Sequence, residues 1–176
     1  ARDVEKGRRE QDDADAILLR VADAGALTAG HGAYGSCGMV IEAVVERLDA
    51  KRALFAELER VVDARCVLAT NTSSLSVTAI AGRCTHGERV IGVHFFNPAW
   101  VMPLVEIVPA ITTGAAVLDD VTALVRGWGK TTVRATDTPG FIVNRVARPF
   151  YGESLRMLEE GIADAPTIDW AMREFG

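Results

Sequence analysis

The sequence lacks paired cysteines and long apolar runs. Its 176 residues include three cysteines, Cys37, Cys66 and Cys84, which form no CxxC pair and leave one over, so neither a disulfide framework nor a thiolate zinc site is expected. No stretch approaches the roughly 18 apolar residues of a membrane span, and residues 1–10 are charged where a secretion signal is apolar. We therefore expect a cytoplasmic protein with no metal site and no membrane partner.

Basic residues are too few to give the chain a positive field. Lys and Arg number 19 against 24 Asp and Glu, and the formal net charge is -5, which does not attract a phosphate backbone or anionic lipid headgroups. Nucleic acid is therefore not expected as a partner, and an anionic ligand needs a local basic patch. Hydrophobic residues make up 49% and charged residues 24%, which is typical of a folded globular protein.

From residue 39 onward, short β-branched runs alternate with helical patterns, which is typical of parallel strands joined by crossover helices. Residues 39–45 form a nearly continuous apolar run, as expected for a strand buried on both faces. A helix with an apolar stripe follows this run. Further strands are predicted at residues 66–70, 89–96, 104–108 and 130–135.

The turn-rich residues 137–140 change the pattern, because a long helical segment follows them to about residue 160 and another helix begins near Pro166. We place a domain boundary at this turn. The fold class predicted is α/β. Residues 1–136 are interpreted as an incomplete Rossmann-type domain with a doubly wound, mainly parallel sheet, and residues 137–176 as the start of an all-helical domain.

Residues 30–35, with the sequence GHGAYG, match the GxGxxG fingerprint of dinucleotide-binding loops. That fingerprint works only between a strand and the helix whose N-terminus receives the pyrophosphate. Here the segment follows helical sequence and precedes a strand, so a flexible surface loop is the better interpretation. Since no strand precedes residue 39, the sheet is expected to lack its opening βαβ unit.

Two ionisable residues, His94 and Glu106, lie in separate apolar segments that are predicted as strands. The short proline-containing connection between these segments can bring neighbouring strand ends together and place the carboxylate beside one imidazole nitrogen. Such a carboxylate fixes the imidazole tautomer and stabilises the imidazolium, so the other nitrogen can exchange a proton with a substrate. A histidine satisfied by a structural partner in the core fits the spacing equally well.

Four motifs occur in order along the chain: NTSSL at residues 71–75, GVHFFNP at 92–98, VEIV at 105–108 and DTPGFIVNR at 137–145. Together they resemble the 3-hydroxyacyl-CoA dehydrogenase family, of the 3-hydroxybutyryl-CoA dehydrogenase type. The resemblance implies a homodimer that uses NAD to oxidise (S)-3-hydroxyacyl-CoA to 3-oxoacyl-CoA in fatty-acid, butyrate or aromatic-acid catabolism.

The resemblance also implies roles for four residues in the chemistry. His94 is expected to carry the proton with Glu106 as its partner, and Ser73 and Asn144 to hydrogen-bond the reacting oxygens. Without the motifs, a helix cap is the simpler interpretation of Ser73, and a polar position on a helix surface that of Asn144.

Cofactor contacts are implied for Glu46, Lys51, Ser73 and Asn97, which fall on positions that surround the nicotinamide and its ribose in the family. Taken alone, Glu46 is interpreted as an exposed cap and Lys51 as part of a solvated helix face. For Lys51 the solvated face is the better of the two interpretations.

Relative to this family, the sequence is expected to lack the Gly-rich cofactor loop and the end of the helical C-terminal domain. The missing loop favours a second hypothesis, a non-catalytic fragment that binds acyl-CoA or forms a dimer. A third hypothesis is a relative that oxidises free sugar acids, because the same fold and a His/Glu pair also serve that chemistry.

Overall fold

The computed structural model describes residues 34–175. Most of the loop predicted at residues 30–35 therefore lies outside the described residues. Its last two residues, Tyr34 and Gly35, belong to a turn that leads into the first described strand.

Five strands form one sheet, in the spatial order in which they occur along the chain. They are β1 (Met39–Glu42), β2 (Val67–Thr70), β3 (Val90–Phe95), β4 (Leu104–Pro109) and β5 (Thr131–Arg134). Strands β1, β2 and β3 are parallel, β3 and β4 are antiparallel, and β4 and β5 are again parallel. The mainly parallel α/β sheet predicted from the sequence is confirmed, with one antiparallel pair inside it.

Helices connect the strands and then continue beyond the sheet. They are α1 (Leu48–Val61), α2 (Val77–Ala81), α3 (Ala115–Gly127), α4 (Val143–Glu159) and α5 (Ala165–Phe175), with a short 3-10 turn at Gly87–Arg89. Across residues 34–175, the search for a helix with the length and apolar character of a membrane span found none.

The core consists of two layers, one on each face of the sheet. Neighbouring strand residues point to opposite faces, so Leu68 and Val90 pack with Phe55 of α1 on one face. Ala69, Ile91 and Ile107 instead pack with Val121 and Val125 of α3 on the other face. This arrangement is the helix–sheet–helix layering of α/β domains.

Gly92 lets α2 approach β3 closely. A Cβ atom at this position would lie 2.8 Å from Val77 Cγ2 and 2.9 Å from Val108 Cβ, which is too close for a real side chain. His94 lies two residues after Gly92, and Glu106 lies two residues before Val108, so both share the face of the sheet of the Gly92–Val108 pair. The segment before α2 also reaches the end of β3, where Asn71 Oδ1 accepts a hydrogen bond from Phe95 N–H.

The strand predicted over residues 39–45 is shorter than expected, and this prediction was wrong in its extent. β1 ends at Glu42, which is buried, whereas Val44 and Val45 beyond it are exposed. The cause is local, because the Glu42 carboxylate accepts a hydrogen bond of 2.6 Å from the Val44 backbone N–H and turns the chain out of the sheet.

Candidate active site

The functional residues gather at one edge of the sheet. The parallel strands β1, β2 and β3 all end at this edge, at Glu42, Thr70 and Phe95. Because β4 is antiparallel to β3, it begins at the same edge with Leu104. In open α/β sheets, ligands bind at the carboxyl ends of the parallel strands.

His94 and Glu106 face each other directly across the antiparallel β3–β4 pair. The distance from His94 Nδ1 to Glu106 Oε2 is 2.7 Å, and both side chains are buried. The rings of Phe96 and Phe141 lie 4.6 and 5.6 Å from the imidazole and shield the pair. Within residues 34–175, His94 Nε2 has no hydrogen-bond partner, and it is not among the fully buried atoms. This nitrogen can therefore meet a ligand.

The other oxygen of Glu106 holds the start of α4. Oε1 accepts hydrogen bonds from the backbone N–H groups of Ile142 and Val143, at 3.0 and 2.9 Å. A helix begins with N–H groups that have no partner inside the helix, and an anion there is favourable. Glu106 thus joins His94 to the first turn of α4 through a single buried carboxylate.

A strained turn directs the chain into α4. Gly140 and Phe141 both have positive φ angles, 77° and 47°. A positive φ is uncommon for a residue with a bulky side chain and costs on the order of 1–3 kcal/mol. Phe141 is buried against the core and its ring faces His94, so packing holds it in this conformation.

Asn144, in the first turn of α4, contacts the loop after β2. Its Nδ2 donates to the Ser73 carbonyl oxygen at 3.2 Å. Ser73 itself is only half-buried and is not the cap of α2, because Ser76 Oγ fills that position by accepting from Ala79 N–H. The structure therefore places Ser73 and Asn144 together, and the cap proposed for Ser73 taken alone is wrong.

Glu46 organises the loop that carries Ser73. Its Oε1 accepts from Thr72 Oγ1 at 2.6 Å and from the backbone N–H groups of Ser73 and Ser74 at 3.0 and 3.2 Å. Burial raises the pKa of Glu46, but the hydrogen bonds from Thr72 and Ser73 and the charge of Lys51 outweigh burial and lower the pKa from 4.5 to about 2. Glu46 is thus an ionised group at neutral pH that caps a loop, and not a helix.

Lys51 is buried at the base of the site. Its ammonium lies 2.7 Å from Glu42 Oε1 and 3.2 Å from Glu46 Oε2, and its side chain is 1% exposed. Thr70 Oγ1 donates to the remaining Glu42 oxygen at 2.8 Å. The solvated helix face favoured for Lys51 taken alone is wrong, because α1 turns this residue toward the sheet with Phe55 and Leu58.

Asn97 lies two residues beyond the end of β3. It lies in the exposed connection between β3 and β4, next to Pro98, with which it forms a cis peptide bond. In the described part of the chain its side chain has no hydrogen-bond partner. Lys130 fixes this connection, since its ammonium donates to the carbonyl oxygens of Ala99 and Met102.

Asp137 ties the end of the sheet domain to α2. Its carboxylate accepts from Ser76 Oγ, Val77 N–H and Thr78 N–H at 2.8 to 2.9 Å. Burial raises the pKa of Asp137, but the hydrogen bonds from Thr78, Ser76 and Val77 outweigh it, and the net pKa is lower than 3.8. Asp137 is therefore a remote cap for a helix sixty residues earlier in the chain.

Sequence reasoning missed the contributions of Glu42, Asn71 and Asp137. Glu42 lies in a run that the sequence predicts as an apolar strand. Burying a carboxylate in such a strand is unfavourable unless it is paired, so its presence was a signal for a buried partner. Asn71 Oδ1 accepts from Phe95 N–H at 2.8 Å and joins the ends of β2 and β3. No periodic signal marks Asp137, because its partners are distant in sequence.

The described residues contain no group of three His, Cys, Asp or Glu side chains placed to hold a metal ion.

Comparison with known families covers nearly the whole chain. Residues 1–138 match the model described as 3-hydroxyacyl-CoA dehydrogenase, NAD binding domain, and residues 140–176 match the model for the C-terminal domain of the same family.

Two curated bacterial proteins are similar in sequence. The chain is 50% identical over 157 residues to 3-hydroxyadipyl-CoA dehydrogenase of Escherichia coli (strain K12), which covers 89% of this chain and 32% of that protein. It is 39% identical over 173 residues to probable 3-hydroxybutyryl-CoA dehydrogenase of Bacillus subtilis (strain 168), covering 98% and 59%. The chain thus spans less than two thirds of the length of either relative.

Solved structures of similar proteins have the same fold. FadB2 of M. tuberculosis superimposes with a TM-score of 0.89 at 36% identity, over 94% of this chain and 57% of that one. The 3-hydroxybutyryl-CoA dehydrogenase of Escherichia coli K12 gives a TM-score of 0.83 at 46% identity, over 92% and 33%. By sequence and by fold, this chain belongs to the NAD-binding 3-hydroxyacyl-CoA dehydrogenase family.

Proposed function

We propose that this chain carries the catalytic residues of an enzyme that oxidises (S)-3-hydroxyacyl-CoA to 3-oxoacyl-CoA with NAD. The observation that carries the proposal is the buried hydrogen bond of 2.7 Å between His94 Nδ1 and Glu106 Oε2. It leaves His94 Nε2 available at the carboxyl ends of the parallel strands, where open α/β sheets bind their ligands.

His94 is the proton acceptor in this proposal. Glu106 accepts from Nδ1–H, so Nε2 carries the lone pair that takes the proton of the 3-hydroxyl group. The imidazolium that forms is then stabilised by the adjacent carboxylate. Since both side chains of the pair are buried, this stabilisation is stronger than it would be in solvent.

Ser73 and Asn144 orient the substrate oxygens. The hydrogen bond from Asn144 Nδ2 to the Ser73 carbonyl oxygen joins the first turn of α4 to the β2–α2 loop and brings the two residues together. Within the described chain, the amide oxygen of Asn144 has no partner. Fixed polar groups of this kind lower the barrier because they are already in place when charge develops.

The residues at the strand ends fit the nicotinamide half of NAD. Glu46 is ionised and about one third exposed, so it can accept hydrogen bonds from ribose hydroxyls. Lys51 is buried behind it, and Ser73 and Asn97 border the same edge. We propose that Glu46, Ser73 and Asn97 contact the nicotinamide and its ribose. Lys51, for which the same contact was expected, is 1% exposed and instead holds Glu46 in place from behind. When bound, NAD supplies the acceptor for the hydride on C3.

The wider proposals rest on the family and on composition. The E. coli and B. subtilis relatives are named for six-carbon dicarboxylic and four-carbon acyl-CoA substrates, which supports an acyl-CoA substrate in fatty-acid, butyrate or aromatic-acid catabolism. We also propose a homodimer in the cytoplasm. A domain boundary between residues 136 and 137 is supported by the family models, which meet near it.

The test is NADH oxidation by the purified chain with acetoacetyl-CoA. We expect turnover in the wild type and a loss of about 10²- to 10⁴-fold in kcat for His94→Ala, as is usual when an acid–base group is removed. His86→Ala is the matched control, because His86 also lies near a glutamate, Glu88, but is exposed and outside the site. Turnover that survives His94→Ala, or a folded wild-type chain with no turnover, would refute the proposal for this chain.

A further inference from the structure

A second cleft with a basic lining lies beside the candidate active site. It has a volume of about 660 Å³ and is lined by Ser74, Pro139, Gly140, Arg145, Arg148 and Pro149. Ser74 follows Ser73, and Arg145 follows Asn144. The cleft therefore adjoins the two residues that we place beside the reacting oxygens.

The two arginines of this cleft are unpaired. Both are exposed, and neither has a side-chain hydrogen bond or ion pair within the part of the chain that the structure describes. In a chain whose net charge is -5, two unpaired guanidinium groups in one cleft form the local basic patch that an anionic ligand requires. A guanidinium binds a carboxylate through two parallel hydrogen bonds, which gives both affinity and direction.

Arg148 is better placed than Arg145 to meet the far end of a substrate. Arg148 and Asn144 are four residues apart in α4, so they share a helix face and are separated by about 6 Å along the axis. Side chains in a helix lean toward its N-terminus, which directs Arg148 back toward the turn of Asn144. Arg145 is rotated by about 100° from Asn144.

Hydrogen bonds fix the backbone at the start of α4, so Arg148 is carried by a rigid helix. Arg145 N–H donates to the Gly140 carbonyl oxygen at 3.0 Å, and a Cβ at Gly140 would lie 3.1 Å from the Arg145 nitrogen. Glu106 binds the two preceding N–H groups of the same turn. The start of α4 is thus held on two sides.

We infer that Arg148 recognises a carboxylate at the distal end of the acyl chain, and that the preferred substrates are dicarboxylic 3-hydroxyacyl-CoA thioesters. This inference rests on the proposed function, because it takes the reacting carbon to lie between His94 and Asn144. A carboxylate three carbon atoms beyond that carbon lies within reach of a guanidinium one helical turn away. An uncharged acyl chain of equal length leaves Arg148 in solvent and gains nothing from it.

Binding of two unreactive thioesters separates this effect from catalysis. Adipyl-CoA and hexanoyl-CoA share the coenzyme and the chain length, and they differ only in the distal carboxylate. Isothermal titration calorimetry on the purified chain is expected to give about tenfold tighter binding of adipyl-CoA. In Arg148→Met the preference should disappear while hexanoyl-CoA binds within about twofold of wild type, and Arg148→Lys should retain part of it.

Arg60→Met is the matched control, because Arg60 is an exposed arginine in the last turn of α1, outside the cleft. It should leave the preference unchanged. Equal affinity of the wild type for both thioesters overturns the inference, as does undetectable binding of both. Equal weakening of both by Arg148→Met also overturns it, because the arginine would then serve the phosphates of the coenzyme. A preference that persists in a chain without turnover would refute the proposed function and leave the recognition of the carboxylate standing.

Discussion

The carboxylate of Glu106 forms two separate sets of hydrogen bonds, one with each of its oxygens. Oε2 binds His94 Nδ1, and Oε1 binds the two N–H groups at the start of α4. Such a residue positions the imidazole and also the helix that carries Asn144. Its side chain is fully buried, so water cannot replace either interaction if the carboxylate is changed.

Glu106→Gln tests this shared role. The amide keeps the shape but offers an N–H₂ group where a carboxylate oxygen accepts. This group either meets the N–H groups of α4 or turns His94 into the tautomer whose Nε2 carries the proton. We expect kcat to fall about 10²-fold or more with little change in KM, and the free energy of unfolding to fall by about 1–3 kcal/mol. The ring proton on His94 Nδ1 should also lose its downfield position in the proton NMR spectrum, which simple destabilisation would not cause.

Glu88→Gln provides the control for Glu106→Gln, because Glu88 forms a similar but exposed pair with His86 at 3.1 Å. It should leave both kcat and the free energy of unfolding at their wild-type values, because an exposed ion pair contributes little. Wild-type kcat in Glu106→Gln would show that the carboxylate is structural only.

Substitution of Lys51 tests whether the stability of the buried Glu42–Lys51 pair beneath the site depends on both charges. Its ammonium neutralises the buried Glu42 carboxylate, so Lys51→Met leaves an unpaired buried charge. We expect a loss of about 3–5 kcal/mol in the free energy of unfolding, measured with urea. The double variant Lys51→Met, Glu42→Gln should recover much of this loss, because it removes both charges. A single-variant loss below about 1 kcal/mol would contradict the pairing argument.

At the scale of elements, α2 depends on a residue outside its own segment. This helix has five residues, which is too short to be stable alone. Ser76 and the remote Asp137 together bind its first N–H groups. The connection also joins the loop of Ser73 to the turn that precedes α4.

Asp137→Ala should therefore destabilise the chain by about 1–2 kcal/mol, as is typical of a lost helix cap. The pKa of Asp137 is below 3.8 in the folded chain, so its contribution is present above that value. It is lost as the pH falls through the lower folded pKa. The difference in unfolding free energy between wild type and Asp137→Ala should hence be constant near pH 7 and shrink in acid. A difference that grows in acid would contradict the assignment, and Asp119→Ala on exposed α3 is the control.

Local patterns predicted the elements well but not their contacts across the chain. The strand containing Glu106 was predicted over residues 104–108, close to Leu104–Pro109, because apolar periodicity reports burial of a face. The facing of His94 and Glu106 also followed from the short connection between their strands. The burial of Lys51 did not, because it depends on Glu42 and Glu46, which lie before α1. Neither did the hydrogen bonds that Glu106 accepts from Ile142 and Val143, since no local pattern encodes a contact between residues 36 and 37 positions apart.

At the scale of the whole molecule, the last two helices present an apolar surface. No residue of α4 is buried, although this helix has seventeen residues. A groove of about 370 Å³ lies between α4 and α5, and its lining includes Phe150, Tyr151, Leu155 and Leu158. Among the described residues of this lining, Asp169 is the single charged one. An amphipathic helix gains most of its stability when its apolar face is covered, and a contiguous exposed apolar surface marks an interaction site.

We propose that a second copy of the chain covers this groove and forms the interface of the proposed homodimer. Sedimentation velocity should then show a dimer that dissociates on dilution, and Leu155→Glu should shift the chain to monomer. In a symmetric interface the same groove occurs on both copies, so each new carboxylate loses solvation without gaining a partner.

Leu124→Glu, at an exposed leucine of α3, should leave the dimer intact. A wild-type chain that stays monomeric at high concentration, or a dimer that tolerates Leu155→Glu, would assign the groove to a different contact. Because α4 also carries Asn144 and Arg148, a dimer of this kind would stabilise the helix that completes the site, and Leu155→Glu should raise KM more than it lowers kcat.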